Sequence, residues 1–121
     1  MTTFYSAADL FVVGSHHEGA ATPLMEACAC GAVPVVDRHP DVSDLLTGGG
    51  SIGALWTPGD AADCARALAD VGRRDLDAER ARLADHFARE LSWDAVGRRA
   101  MEIYGQVLGA RAARGLAGCR R

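Results

Sequence analysis

Ser15-His-His-Glu-Gly-Ala-Ala-Thr-Pro-Leu-Met-Glu-Ala-Cys-Ala-Cys-Gly-Ala-Val-Pro-Val-Val36 follows an apolar run, Leu10 to Val13, and ends in a second, Val33 to Val36. Between the runs, Gly14 and Ser15 open a polar loop. Thr22 and Pro23 have the chemistry of a helix start: a hydroxyl N-cap, then a first helical residue whose missing N–H costs nothing. Gly31 marks the helix end, and the second run begins two residues later. The pattern predicts one βαβ unit with parallel strands.

In an open parallel sheet, ligands gather outside the carboxyl ends of the strands, and the first turn of the following helix offers unpaired N–H groups suited to a phosphate. Two carboxylates bracket that position, Glu18 in the loop and Glu26 one turn into the helix. Like charges repel at close range, so these acids are unsuited to holding a phosphate and better used as acceptors for sugar hydroxyls. On charge pattern alone Glu18 is equally a solvated loop acid. Glu26 equally fits an acid stabilised by the helix dipole, worth roughly 0.3 to 1 kcal/mol.

The ordered set Glu18-Gly19, Glu26-Ala27, Cys30-Gly31 and Pro34-Val35-Val36 resembles the nucleotide-sugar motif of glycosyltransferase family 4, the retaining transferases of GT-B fold. The resemblance continues through Gly53-Ala54-Leu55-Trp56-Thr57-Pro58-Gly59-Asp60 and Leu91-Ser92-Trp93, and so covers most of residues 5 to 108. It implies a Rossmann-like half-domain and transfer of a sugar from a nucleotide-diphosphate sugar, with retention, in glycan biosynthesis. By that resemblance Glu18 is the catalytic carboxylate, facing the donor sugar's hydroxyls, and Glu26 accepts hydrogen bonds from the ribose diol. The backbone amides of Gly19, Ala20, Ala21, Thr22 and Leu24 hold the diphosphate. No metal or cofactor is expected, since dipoles and hydroxyl acceptors do that work.

Working outward, 121 residues make one small domain, at the lower end for a doubly wound sheet. Phe4, Tyr5, Ala7 and Ala8 read as the tail of an earlier element, and Ile52 to Trp56 as a third strand. Asp41 to Leu46 can form a short helix, and Thr47 to Ser51 a flexible turn. Three helices finish the chain. The first starts at a capping box, Asp60 with Asp63, runs to Gly72 and turns Cys64, Leu68 and Val71 inward. The second carries the stripe Leu83, Phe87, Leu91, with Asp85 and Arg89 paired on its wet side. The third is capped by Ser92, with the stripe Val96, Ala100, Ile103, Tyr104, Val107 and Leu108. Trp56 and Trp93 read as packing anchors. The expected organisation is a partial nucleotide-sugar-binding domain over residues 1–110 and a frayed basic tail over 111–121.

The charge distribution narrows the partners. All 16 acidic residues precede Ala110, whereas four of the 13 basic residues, Arg111, Arg114, Arg120 and Arg121, follow it. So acidic a body is a poor nucleic-acid surface. The tail could reach an anionic membrane only marginally, at about 1 kcal/mol per basic residue. No apolar run approaches the roughly 18 residues needed to span a bilayer, and no signal peptide is visible. The expected location is cytoplasmic, with a membrane-peripheral contact as the alternative.

Cys28, Cys30, Cys64 and Cys119 have neither zinc-type pairing nor a geometry for bridging, and read as reduced packing residues. His16, His17 and Glu18 in a row are not read as a metal site, because neighbours in an extended segment point oppositely. Family members are commonly about three times this length. The expected partners are therefore a nucleotide-diphosphate sugar and either a missing N-terminal acceptor domain or a second copy of the chain. The alternative class is a non-catalytic nucleotide-sugar-binding or interaction module.

Overall fold

The computed structural model describes residues 2–15, 22–38 and 52–118, with side chains through residue 110. The expected helix at Asp41–Leu46 and turn at Thr47–Ser51 lie outside the described residues. The order of elements is α1 (Thr2–Ser6), β1 (Leu10–Val13), α2 (Thr22–Ala29), β2 (Val33–Asp37), β3 (Ala54–Trp56), α3 (Ala61–Val71), α4 (Leu76–His86), a π-turn (Phe87–Leu91) and α5 (Trp93–Gly118). Contacts divide the chain into two compact units, residues 1–91 and 92–121.

The first unit is the expected α/β half-domain. Its three strands are parallel in the order β1-β2-β3, with Leu10 opposite Val33 and Val35 opposite Ala54. β2 is buried along its whole length, as an apolar run covered on both faces should be. Alternation along β2 sends Val36 to one face and Val33 and Val35 to the other. On the first face Val36 packs with Val13, Leu24 and Cys28 of α2, and Leu83 and Leu91. On the second, Val33, Val35 and Ala54 pack with Ala67 and Val71 of α3. A third cluster joins Tyr5 of α1 to Ala27 and Ala32, with the Tyr5 and Phe11 rings edge-to-face at 5.6 Å.

The turn between α2 and β2 is a Schellman cap. Ala32 N–H donates to Ala27 C=O, and Gly31 N–H to Cys28 C=O, both at 3.0 Å, with Gly31 at φ 86°. Cys28, Cys30 and Cys64 are free thiols, and burial pushes the Cys28 thiol up to about 12. That is the environment of a packing residue rather than a nucleophile.

The third strand begins later than expected, at Ala54 rather than Ile52. Val33 N–H donates to Asp9 C=O, so Val33 and Val35 turn their backbone groups toward β1, and Pro34 and Val36 turn theirs toward β3. Pro34 has no N–H to offer Ile52, so pairing starts one step later. Gly53, at φ 67°, leaves the strand line: its N–H donates to Glu79 Oε2 at 3.2 Å, and its C=O accepts from Arg74 Nη1 at 2.9 Å. A Cβ at Gly53 would lie 1.9 Å from the Pro34 carbonyl oxygen, so no larger residue fits.

α3 starts as the cap pattern predicted, with Asp63 N–H donating to Asp60 Oδ1 at 2.9 Å, and ends at Gly72. The Asp63 carboxylate reaches past the cap to accept from Thr57 N–H at 2.7 Å, tying β3 to the helix it feeds. Along α4 and the π-turn that continues it, Leu83 and Leu91 are buried and Phe87 is half-buried, and Arg89 pairs with Asp85 at 3.0 Å.

The second unit is α5. Ser92 caps it, its Oγ accepting from Ala95 N–H at 3.2 Å and its C=O from Val96 N–H at 2.9 Å. Val96, Ile103, Tyr104, Val107 and Leu108 are exposed. So is Trp93, at 86%, which corrects its expected role as a packing anchor: it sits in the first turn of α5 on a side that faces water. The helix continues to Gly118, well into the stretch expected to fray. Among the described residues, no helix is long and apolar enough to cross a membrane.

Candidate functional site

The carboxyl ends of the three strands form one rim, because all three run the same way. β1 delivers Gly14 and Ser15 to it, β2 delivers Asp37, and β3 delivers Trp56 and the turn Thr57–Asp60. α2 returns from the rim with Thr22 and Pro23 exposed, so the start of its first turn is open to water, whereas Leu24 just after it is buried. A hollow of about 220 Å³ lies there, lined by Val13, Gly14, Ser15, Pro23 and Leu24.

The expected site residues divide three ways. Glu18, Gly19, Ala20 and Ala21 lie outside the described residues. Thr22 is exposed at the helix start, whereas Leu24 is only 1% exposed as a whole residue and belongs to the core. Glu26 is exposed one turn further on, along the flank of α2 that faces α1. There it lines a separate hollow of about 250 Å³ with Thr2, Tyr5, Ala29 and Cys30. The Tyr5 hydroxyl donates a hydrogen bond to the Glu26 carboxylate, and burial together with that negative charge raises the Tyr5 pKa.

The α3 side of the rim holds a feature not singled out from sequence. Asp37, Trp56, Gly14, Pro58, Gly59 and Ala61 line a hollow of about 230 Å³. Asp37 is 4% exposed. Its position carries a signal: it continues the odd-numbered face of β2 set by Val33 and Val35, so strand alternation alone turns it inward. Trp56 is the expected packing residue, and its Nε1 also donates to Val13 C=O at 3.1 Å, so the indole spans from β3 to the end of β1.

A further hollow, of about 410 Å³, runs along the outer edge of β3 between Arg38, Asp63, Arg66, Asp70 and Arg74. Most of its charges cancel: Arg66 pairs with Asp63 at 3.1 Å, and Arg74 with Asp70 and Glu79. Among the described residues, no three His, Cys, Asp or Glu side chains are grouped to hold a metal ion.

Comparison with known proteins bears on this geometry. The family model described as "Glycosyl transferases group 1" matches residues 1–87. The chain is 33% identical over 115 residues to the D-inositol 3-phosphate glycosyltransferase of Salinispora tropica, covering 89% of this chain and 22% of that protein. It is 36% identical over 107 residues to the protein of the same name from Thermomonospora curvata, covering 86% and 24%. Among solved structures, sucrose-phosphate synthase from Thermosynechococcus elongatus superposes with a TM-score of 0.70 at 24% identity, over 88% of this chain and 27% of that one. The chain thus spans under a quarter of the length of the curated relatives it matches.

Proposed function

Because this chain belongs to the glycosyl transferases group 1 family, we propose that it is the donor-binding part of a retaining glycosyltransferase that uses a nucleotide-diphosphate sugar. The observation that carries this reading is the exposed start of α2, Thr22 and Pro23, at the carboxyl end of β1, with Glu26 accessible one turn below it. The diphosphate lies on the leading amides of α2 and of the loop before it, Gly19 to Leu24. There the helix dipole stabilises the charge that develops as the sugar C1–O bond to the diphosphate breaks. Glu26 accepts from the ribose diol, and Glu18 faces the sugar. The acceptor hydroxyl and the surface that orients it belong to a further domain, in keeping with the greater length of the relatives.

Titration calorimetry of the chain with UDP-, GDP- and ADP-sugars tests the reading. One of them binds, and Glu26→Ala weakens that binding at least tenfold, about 1.4 kcal/mol. Affinity that survives the substitution removes Glu26 from the ribose, and silence toward the whole panel removes the donor site. The exposed apolar side of α5 favours a second reading, an interaction module without turnover. Under it, association persists in variants that bind no nucleotide.

A further inference from the structure

Among the described residues of the 1–91 unit, two carboxylates are withdrawn from water, and their surroundings are opposite. Glu79, 0% exposed, receives Gly53 N–H and the guanidinium groups of Arg74 and Arg82. Asp37 is almost as deeply placed, and its carboxylate has no hydrogen-bond or ion-pair partner among the described residues. A buried acid left in that condition is costly, by several kcal/mol as a rule. Nothing in the packing of β2 requires an acid there, since Val33 and Val35 hold the same face with apolar side chains.

The surroundings of Asp37 describe what would satisfy it. Registration places Asp37 beside Trp56 on one side. Continued one step, the β1–β2 register places it beside Gly14 on the other. Gly14 leaves room for the indole: a Cβ there would lie 3.0 Å from Trp56 Cζ2. The Trp56 N–H is already used on Val13 C=O, so it is not a donor to the carboxylate. Pro58, Gly59 and Ala61 close the hollow and carry no charge. Ala61 is also the first residue of α3, and the positive dipole end of a helix disfavours a bound cation, so a neutral donor fits this place. The volume, about 230 Å³, lies below the roughly 300 Å³ at which drug-sized sites begin, and suits a single small ring.

We propose that this hollow is a binding site for a neutral, hydroxyl-rich ring of hexose size, in which neighbouring hydroxyls donate to the Asp37 carboxylate and the carbon skeleton rests on Trp56, Pro58 and Ala61. The site lies on the α3 flank of the rim, apart from Thr22 and Glu26, and does not depend on the nucleotide reading.

Saturation-transfer-difference NMR on the chain with glucose, mannose, galactose and glucosamine tests it, with thermal melts alongside. At least one neutral hexose receives saturation on its ring protons and raises the melting temperature. Asp37→Asn weakens that binding at least tenfold and by itself melts no lower than the parent, because the carboxylate has no partner to lose among the described residues. The proposal is overturned if no neutral hexose receives saturation, if glucosamine alone does, if Asp37→Asn leaves the transfer unchanged, or if that variant melts several degrees lower. A chain that binds a hexose here but no nucleotide loses the donor site and keeps this one; the reverse result loses this one alone.

Discussion

Glu79 sits in the first turn of α4 with its carboxylate sealed from water, and holds three donors from three different segments. Gly53 N–H reaches it at 3.2 Å, Arg74 Nη1 at 3.3 Å, and Arg82 completes the set. The acid therefore pins the approach to β3 against the α3–α4 connection, at the point where Gly53 leaves the strand line. Removing it abandons a buried N–H and the partner of two cations. Glu79→Ala should lower the unfolding free energy by about 2–4 kcal/mol in urea titration. Glu79→Gln should cost less, because the amide oxygen still accepts from Gly53. No spacing rule marks this residue. On a helix written Leu76-Asp-Ala-Glu-Arg-Ala-Arg-Leu, an acid among arginines reads as a solvated face, and only the return of Gly53 from 26 positions away makes it a core group.

Among the elements, α3 follows its sequence closely and α4 does not. The capping pattern at Asp60 and Asp63 is local, and Asp60 performs as written. Asp63 adds a bond outside the helix, to Thr57, and the hydrogen bonds from Thr57 followed by the pairing with Arg66 hold its carboxyl below the usual range. Because the folded value is the lower one, the stabilisation is complete above the unfolded carboxylate range, near pH 4, and is lost as pH falls through the folded value. Asp63→Asn should therefore flatten the acid limb of a stability-versus-pH curve below about pH 4 while leaving its neutral region nearly parallel to that of the parent. Leu83 of α4 and Phe87 and Leu91 of the π-turn are four residues apart, and each such step drifts about 40° around a 3.6-residue helix. The π-turn from Phe87 to Leu91 takes up that drift and returns Leu91 to the core beside Leu83.

The whole molecule joins a packed α/β unit to a long helix with an apolar side open to water. Val96, Ile103, Tyr104 and Val107 recur at helical spacing, and all are exposed. Apolar surface of this extent favours association. Light scattering on the chain should show mass rising with concentration, and the double substitution Ile103→Glu, Val107→Glu should return it toward a monomer. A monodisperse parent would remove that expectation. The family match ends at residue 87, close to the boundary between the units at Leu91, so the part most like its relatives is the part with its own core.

By itself, the order of residues determined what depends on near neighbours: β1 as Leu10 to Val13, the helix between Thr22 and Gly31, the caps at Asp60 and Ser92, and the family. These follow from side chains acting within a turn or two of chain, where periodicity and hydrogen-bonding chemistry leave few alternatives. Tertiary structure decided the rest, because it brings distant segments into one low-dielectric space. It shortened β3 through a proline in its neighbour, buried Glu79 against a glycine on another segment, and turned Glu26 toward Tyr5. It also closed Asp37 beneath the rim beside Trp56, where the value of a carboxylate depends on what surrounds it rather than on what precedes it.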